Sequence, residues 1–586
     1  MNEEPNNTQK KYEKIIKKTL DDANLSKEKK EVIAAELDEY TKELKEEYTQ
    51  QDHPELLKKK RRFLEKLIQK DDDDEARDIE DIRKEEHFII STNMKLSLSF
   101  IVIFVLWAIF EANNLTKVSE FVQDFFVTNF SWFYILSSTG FLVFLIYIGF
   151  SRFGNIVLGD PGESPEFSNI SWYSMLFSAG MGIGMLFWGI AEPVKLFLHP
   201  PSGAERSVEA ANMAMVYSSF HWGFHTWGIF TVCALGVAYF GFRKRKKYLL
   251  SSSLMGLSEN PTVNKWIKVI SDLVSTLAIV FGLAASLGFG LLQVGSGLNH
   301  VFHFENANTT IGYIIIMMII TVLFIMSATT GLKKGIKILS NLNMLVAILL
   351  MLFMFLVSEK LFIIKVFVDT LGQYINHITE LSLKIAPFTK DYETWMGDWT
   401  LTYFTWVTAW SPFVGIFIAR ISKGRTIREL IFGSLIFPTV FTILWFSIFG
   451  GSALYLEFFT NSGIGTLVDK DLTVSLFALL EKFPLYKVTS CVSIFLIFTF
   501  LITSADSATF VISMMTTEGD LEPKIGTKVM WGVIIAIVTI ILVAGGGIKA
   551  IQAAALSFAF PFTVILILIA ISLMARLSRH IKSKRV

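Results

Sequence analysis

The stretch SAGMGIGMLFWG, residues 178–189, decides how this chain is read. It lies inside an apolar run, 170–191, yet Gly180, Gly182 and Gly184 alternate within it. A glycine inside a helix costs about 1 kcal/mol relative to alanine, so the alternation needs a reason. Close helix packing through small residues is one. A length of unwound backbone is the other, and at membrane depth it survives only where it lines a cavity or is buried in protein. Its freed carbonyls can then hold a cation. The spacing leaves both readings open. Trp172 precedes the alternating glycines and Trp188 follows them.

Around this run the chain is apolar on a scale that a soluble globule does not reach. Of 586 residues, 52% are hydrophobic and 18% charged, against roughly 25% charged in soluble domains, and the mean hydropathy is +0.48. The charge is concentrated at one end. Residues 1–90 hold 26 acidic and 20 basic side chains, a net −6, and the remaining body holds 27 acidic and 34 basic, a net +7. The apolar body excludes a disordered chain. Two cysteines, Cys233 and Cys491, exclude a disulfide scaffold. The charge balance gives nucleic-acid binding no support, and the polar start gives no sign of a cleavable signal peptide. The expectation is an all-α polytopic membrane protein with a charged cytoplasmic extension.

A spanning helix needs roughly 20 mostly apolar residues. Twelve runs qualify: 95–113, 131–151, 170–191, 211–240, 268–296, 310–330, 337–358, 400–421, 430–456, 486–514, 528–546 and 552–576. The segment 361–390 is amphipathic and reads as an interfacial helix. Basic clusters set the orientation. Arg243–Lys247, then Lys333, Lys334 and Lys337, then Arg420, Lys423, Arg425 and Arg428, and the short basic tail 577–586 all fall on one side if there are twelve spans. Both termini are therefore expected in the cytoplasm. The head, 1–90, reads as a solvated helical extension or as a regulatory, membrane-surface arm, with its basic block Lys58–Arg62 suited to anionic lipid.

Three further runs carry chemistry. In the fourth span, Phe220–Phe230 packs two tryptophans, two histidines and several phenylalanines into three turns, mid-membrane rather than at an interface. His221 and His225 have zinc-ligand spacing, but no third ligand is evident. In the eighth, Trp399, Tyr403, Trp406 and Trp410 fall on one helical stripe. Lipid gives no hydrophobic reason to turn such rings inward. Facing aromatic helices can instead form a cage, whose ring faces attract cations by roughly 0.5–2 kcal/mol each and suit quaternary ammonium. In the tenth, Thr503 and Ser504 offer hard oxygens for an alkali cation, although membrane hydroxyls often only bond their own helix. Asp506 beside them is a functional candidate by default, or else a group near the cytoplasmic end serving contacts between Thr516 and Lys528. His221, His225 and Asp506 form no recognisable catalytic grouping, so an enzyme is not expected.

Over nearly all of 90–576 the sequence resembles the betaine/choline/carnitine transporter (BCCT) family, most closely its sodium-coupled glycine betaine porters. The likeness rests on four segments in order: the glycine run with Ala191-Glu192-Pro193, the His-Trp-Gly of span four, the segment from Trp406 to Arg428, and Thr503-Ser504-Ala505-Asp506-Ser507. It implies a LeuT-like 5+5 inverted repeat, spans 3–7 and 8–12, after two extra N-terminal helices. It also implies a homotrimer in a prokaryotic cell membrane working by alternating access. By position, Trp222, Trp227, Phe230, Trp406 and Trp410 would line a cage for a quaternary-ammonium osmolyte, with Met181 beside it. Phe230 stands where a tyrosine is frequent and Val407 where a second tryptophan is frequent, which opens the cage on one side. Sodium (Na+), the co-transported ion, would meet the backbone of Ser178, Met181 and Phe500 and the side chains of Thr503 and Ser504. A second sodium would lie near Phe413, with Ser275 and Thr276 the hydroxyls that span five offers. A sodium-independent exchanger or a choline or carnitine importer is the alternative within transport. A non-transporting membrane osmosensor or receptor is the alternative from another class.

Overall fold

The computed structural model describes Leu37 and residues 91–583, apart from Met181, Gly256 and 331–336. The expected helical extension over 1–90, save Leu37, falls outside the described residues, as do Met181, Lys333 and Lys334. The chain divides into two compact units, Met1–Ile90 and Ser91–Val586.

The second unit is built from α-helices, in order α1 (Thr92–Phe110), α2 (Ala112–Phe150), α3 (Asn169–Gly180), α4 (Gly182–Leu198), α5 (Val208–Trp222), α6 (Phe224–Ala238), α7 (Pro261–Phe302), α8 (Thr310–Thr330), α9 (Lys337–Val357), α10 (Lys360–Leu381), α11 (Lys390–Met396), α12 (Thr402–Ile421), α13 (Ile427–Thr460), α14 (Ile464–Lys470), α15 (Ser475–Leu480), α16 (Tyr486–Thr516) and α17 (Ile525–Ser583). Among the described residues, eleven helical segments are long and apolar enough to cross a membrane. The expected third span is described as α3 and α4, of 12 and 17 residues, on either side of Met181, which lies outside the described residues. Several helices outrun their apolar runs. α2 starts 19 residues before the expected second span, and α7, with 42 residues, is about 63 Å long, twice a hydrocarbon core of roughly 30 Å. The expected connection between spans eleven and twelve is helical, within α17, where Ala550, Ala553, Ala554 and Ala555 favour helix. α17 also carries the expected tail on to Ser583. The amphipathic helix is shorter than 361–390 and stops at Leu381.

The fourth span is broken where its sequence reads as a continuous apolar run. α5 ends at Trp222, α6 begins at Phe224, and Gly223 lies between. A Cβ on Gly223 would come 2.4 Å from Ser219 O and 2.7 Å from Tyr374 Oη, so only glycine fits. The groups freed by the break find side-chain partners, as buried backbone must. Phe224 N–H donates to Tyr374 Oη of α10 at 3.1 Å, and the Thr226 hydroxyl donates to His221 O at 2.5 Å. α12 solves a similar problem at Pro412. The proline leaves the Thr408 carbonyl without its helical donor, and the Ser411 hydroxyl donates to it at 2.7 Å.

The basic loops gather at one end of the unit and are engaged there. Arg243 donates to Gly159 O at 3.0 Å and Arg245 pairs with Asp160. Arg420 pairs with Glu166 and Lys423 with Glu163, both at 2.8 Å. Arg425 is buried, stacks on Trp172 at 4.1 Å and donates to Asn169 and Phe167 O. Burial alone would raise the Glu518 carboxyl, but Lys268 and Lys247 hold it below its ordinary range. The residues that sequence reading uses only as topology signals therefore also clamp the loops together. Another set of pairs, Lys195–Asp469, Arg206–Glu457 and His300–Glu481, joins the loops around α14 and α15.

Candidate substrate and ion sites

The alternating glycines of α3 and α4 are seats for aromatic rings. A Cβ on Gly180 would lie 2.7 Å from Trp227 Cη2, and one on Gly184 would lie 2.3 Å from Trp222 Cη2. On Gly182, between them, it would lie 2.1 Å from Phe500 Cδ1. Real Cβ contacts do not fall below about 3.0 Å. Of the two readings that the glycine spacing leaves open, close packing therefore has direct support. The backbone at Met181, expected beside both substrate and sodium, lies outside the described residues.

The five expected cage rings all turn into the protein, none more than 9% exposed. Trp222 stands edge-on to Trp406, with centroids 5.8 Å apart at 82°. Trp406 and Trp410 stack at 6.0 Å and 22°. Trp410 meets Phe230 at 6.3 Å, and Phe230 meets Trp227 edge-on at 5.6 Å. The chain of contacts thus runs from α5 through α12 back to α6, across the break at Gly223. Tyr403 continues the stripe of α12 toward Trp399. Trp188 and Phe289 close the same wall, Phe289 lying 5.7 Å from Trp406 and Trp188 5.4 Å from Tyr403. Sequence reasoning missed Phe289. The indole N–H groups of Trp227, Trp406 and Trp410 are buried and have no protein acceptor among the described residues.

Trp222 differs. Its Nε1–H donates to Glu192 Oε2 at 2.7 Å. Glu192 Oε1 lies 2.6 Å from His221 Nδ1, and His221 Nε2 lies 2.9 Å from the Thr400 hydroxyl. All of these groups are buried. His225, one turn on, bonds Ser382 instead at 3.0 Å, so the two histidines serve separate partners.

Expected ion ligands also lie in the interior. Ser178, Phe500, Thr503 and Ser504 are each about 1% exposed or less. The Ser178 and Ser504 hydroxyls have no protein partner among the described residues. Thr503 donates within its own helix, to Thr499 O at 3.1 Å or Phe500 O at 3.0 Å, and accepts from Asn343 Nδ2 at 3.3 Å. Asn343 Oδ1 has no partner among the described residues. Asn343 carried no signal in the sequence, because it sits in a plain apolar run 160 residues away. Each of these atoms is a hard oxygen, the donor type that alkali cations take. Asp506 accepts from Ser327 at 2.5 Å.

Phe413 is buried against Trp410 at 5.7 Å. Ser275 and Thr276 are engaged locally, however. Ser275 donates to Ser271 O, and Thr276 donates to Asp272 O while receiving Asn93 of α1. α7 meets α12 at Gly282 and Ala409, one turn before Ser286.

The model of the betaine/carnitine/choline family transporters matches residues 93–582. The chain belongs to that family. A glycine betaine transporter of Bacillus subtilis, OpuD, is 42% identical over 480 residues, covering 81% of this chain and 92% of that protein. An ectoine/hydroxyectoine transporter of Virgibacillus pantothenticus is 40% identical over 469 residues, covering 80% and 92%. A probable glycine betaine transporter of Desulfitobacterium hafniense is 38% identical over 490 residues, covering 83% and 97%. The family and these relatives are transporters, so the chain is a multi-pass membrane transport protein and not an enzyme.

Proposed function

We propose that this family member imports glycine betaine or a related zwitterionic osmolyte by sodium symport with alternating access. The observation that carries the reading is the convergence of Trp222, Trp227, Phe230, Trp406 and Trp410 in the interior. A trimethylammonium group has no donor to satisfy and suits ring faces. The carboxylate of the same molecule needs donors, and the three buried indole N–H groups without protein acceptors suit it. Sodium would use Ser178, Phe500, Thr503 and Ser504, with Met181 beside them. Burying ion and substrate near one another lets each favour the other's binding, and sodium's gradient then drives uptake.

The proposal extends to twelve crossings, with spans 3–7 and 8–12 as inverted repeats, in a homotrimer. Both termini face the cytoplasm of a prokaryotic cell, and the charged head contacts anionic lipid. Ectoine is the second substrate reading. It is favoured by the missing ring at Val407, the missing hydroxyl at Phe230 and the likeness to a transporter described for ectoine.

Uptake of radiolabelled betaine and ectoine into proteoliposomes, with and without an inward sodium gradient, tests the proposal. Sodium-stimulated accumulation of either supports it. Accumulation indifferent to sodium refutes the coupling, and binding without flux makes the protein a receptor.

A further inference from the structure

The geometry points to Glu192 as a positioning residue that sets the strength of the onium cage through Trp222. This inference rests on the proposed onium substrate. Glu192 is buried in α4, and each of its oxygens is taken, one by His221 and the other by the Trp222 indole. Among the described residues no lysine or arginine pairs with it. Lys195, one turn on, is bound to Asp469. A carboxylate this deep is costly, and one placed for packing alone would be replaced by an apolar group at no loss. Its placement has two effects on the ring. An N–H donated to a carboxylate makes a charge-assisted bond at 2.7 Å, which fixes the plane of Trp222 against Trp406 and Gly184. The same bond pushes electron density from the anionic acceptor into the indole, and cation–π attraction grows with the negative charge on the ring face.

His221, itself held at Nε2 by Thr400, takes the other side of the carboxylate. His221 stacks on Tyr403 at 4.8 Å, and Tyr403 stands edge-on to Trp222 at 5.4 Å. One carboxylate therefore ties α4 and α5 together and, through His221 and Thr400, reaches the start of α12. The other cage indoles have no such acceptor among the described residues, so Trp222 is the ring that the protein itself tunes.

The test is a double-mutant cycle on the full-length protein, with betaine as the probe. Glu192→Gln keeps an oxygen for the indole and removes the charge, and its amide N–H donates to His221 Nδ1 once the imidazole proton has moved to Nε2, where Thr400 accepts it. It is expected to weaken betaine binding, read by calorimetry and by KM, about tenfold while kcat stays within about twofold. Trp222→Phe deletes the N–H and keeps a ring. It is expected to weaken binding by a similar factor, and adding Glu192→Gln to it should change affinity by less than about twofold. Wild-type affinity in Glu192→Gln overturns the inference, as do two losses that simply multiply. If Glu192→Gln is not recovered folded, Trp222→Phe carries the test, and unchanged affinity there overturns it. A wild-type protein that binds no onium compound refutes the proposed function instead, a distinct result.

Discussion

Gly184→Ala puts the packing of the cage to a direct test. The added Cβ would lie 2.3 Å from Trp222 Cη2 and 2.6 Å from Cζ3. Ordinary contact begins near 3.4 Å, so the ring must retreat by about 1.1 Å. A flexible side chain would yield cheaply, but this ring is held at its nitrogen by Glu192 at 2.7 Å and stands edge-on to Trp406. Retreat lengthens the bond, misaligns it or opens the cage. Forfeiting one ring's share of cation–π attraction costs about 0.5–2 kcal/mol of substrate affinity. A strained charge-assisted bond adds about 1 kcal/mol. The sum predicts betaine affinity about 10- to 100-fold weaker. Overpacking costs about 1–3 kcal/mol of stability, partly offset by the roughly 1 kcal/mol that alanine gains in a helix, so the protein still folds. Gly372→Ala is the control, because nothing lies within 4 Å of a Cβ there. Both variants would be titrated with betaine by tryptophan fluorescence and compared in melting temperature. Equal affinity in Gly184→Ala and Gly372→Ala would show that Trp222 does not bear on the substrate.

The same geometry sets three more expectations. Val407 is buried beside Trp406, and Val407→Trp should tighten trimethylammonium binding by about tenfold at the expense of bulkier zwitterions, measured by competition between betaine and ectoine. Asn343→Leu removes the amide that bonds Thr503, and should raise the sodium concentration for half-maximal uptake about tenfold with betaine affinity at saturating sodium little changed; an unaltered sodium curve would place the ion elsewhere. The Lys195 and His199 bonds hold the Asp469 carboxyl down at about 2, below its ordinary 3.8. A depressed carboxyl stabilises the fold above the unfolded value and loses that contribution as pH falls toward 2, so the melting temperature of wild type should approach that of Asp469→Asn between about pH 4 and 2, with the difference largest near neutrality.

The parts of this fold that sequence patterning exposes are those dictated by lipid. Apolar runs of about 20 residues mark crossings whatever they pack against, and the register of Trp399, Tyr403, Trp406 and Trp410 comes from helical period alone. What escapes are features set by contacts between distant segments. The lengths of α2 and α7 are hidden because their ends are polar and no lipid constrains them. The break at Gly223 looks like one more glycine in an apolar run, and Tyr374, which satisfies the freed backbone, is 150 residues away. Glu192 reads as part of a family motif, but its bonds to His221 and Trp222 cross between helices. The glycine run shows the limit most plainly. Spacing alone gives two explanations, and the rings of Trp222, Trp227 and Phe500, none of them near it in sequence, support one.

The break in the fourth span places Trp222 on one half-helix and Trp227 on the other. Any change of angle at Gly223 therefore alters the distance between two rings of the same cage, as the jaws of pliers part when the handles move. The pivot is not free, because Tyr374 grips it from α10, a helix that contributes no ring to the cage. If the cage binds as proposed, a push on α10 would be geared to its grip through Tyr374, without passing through the substrate's own contacts.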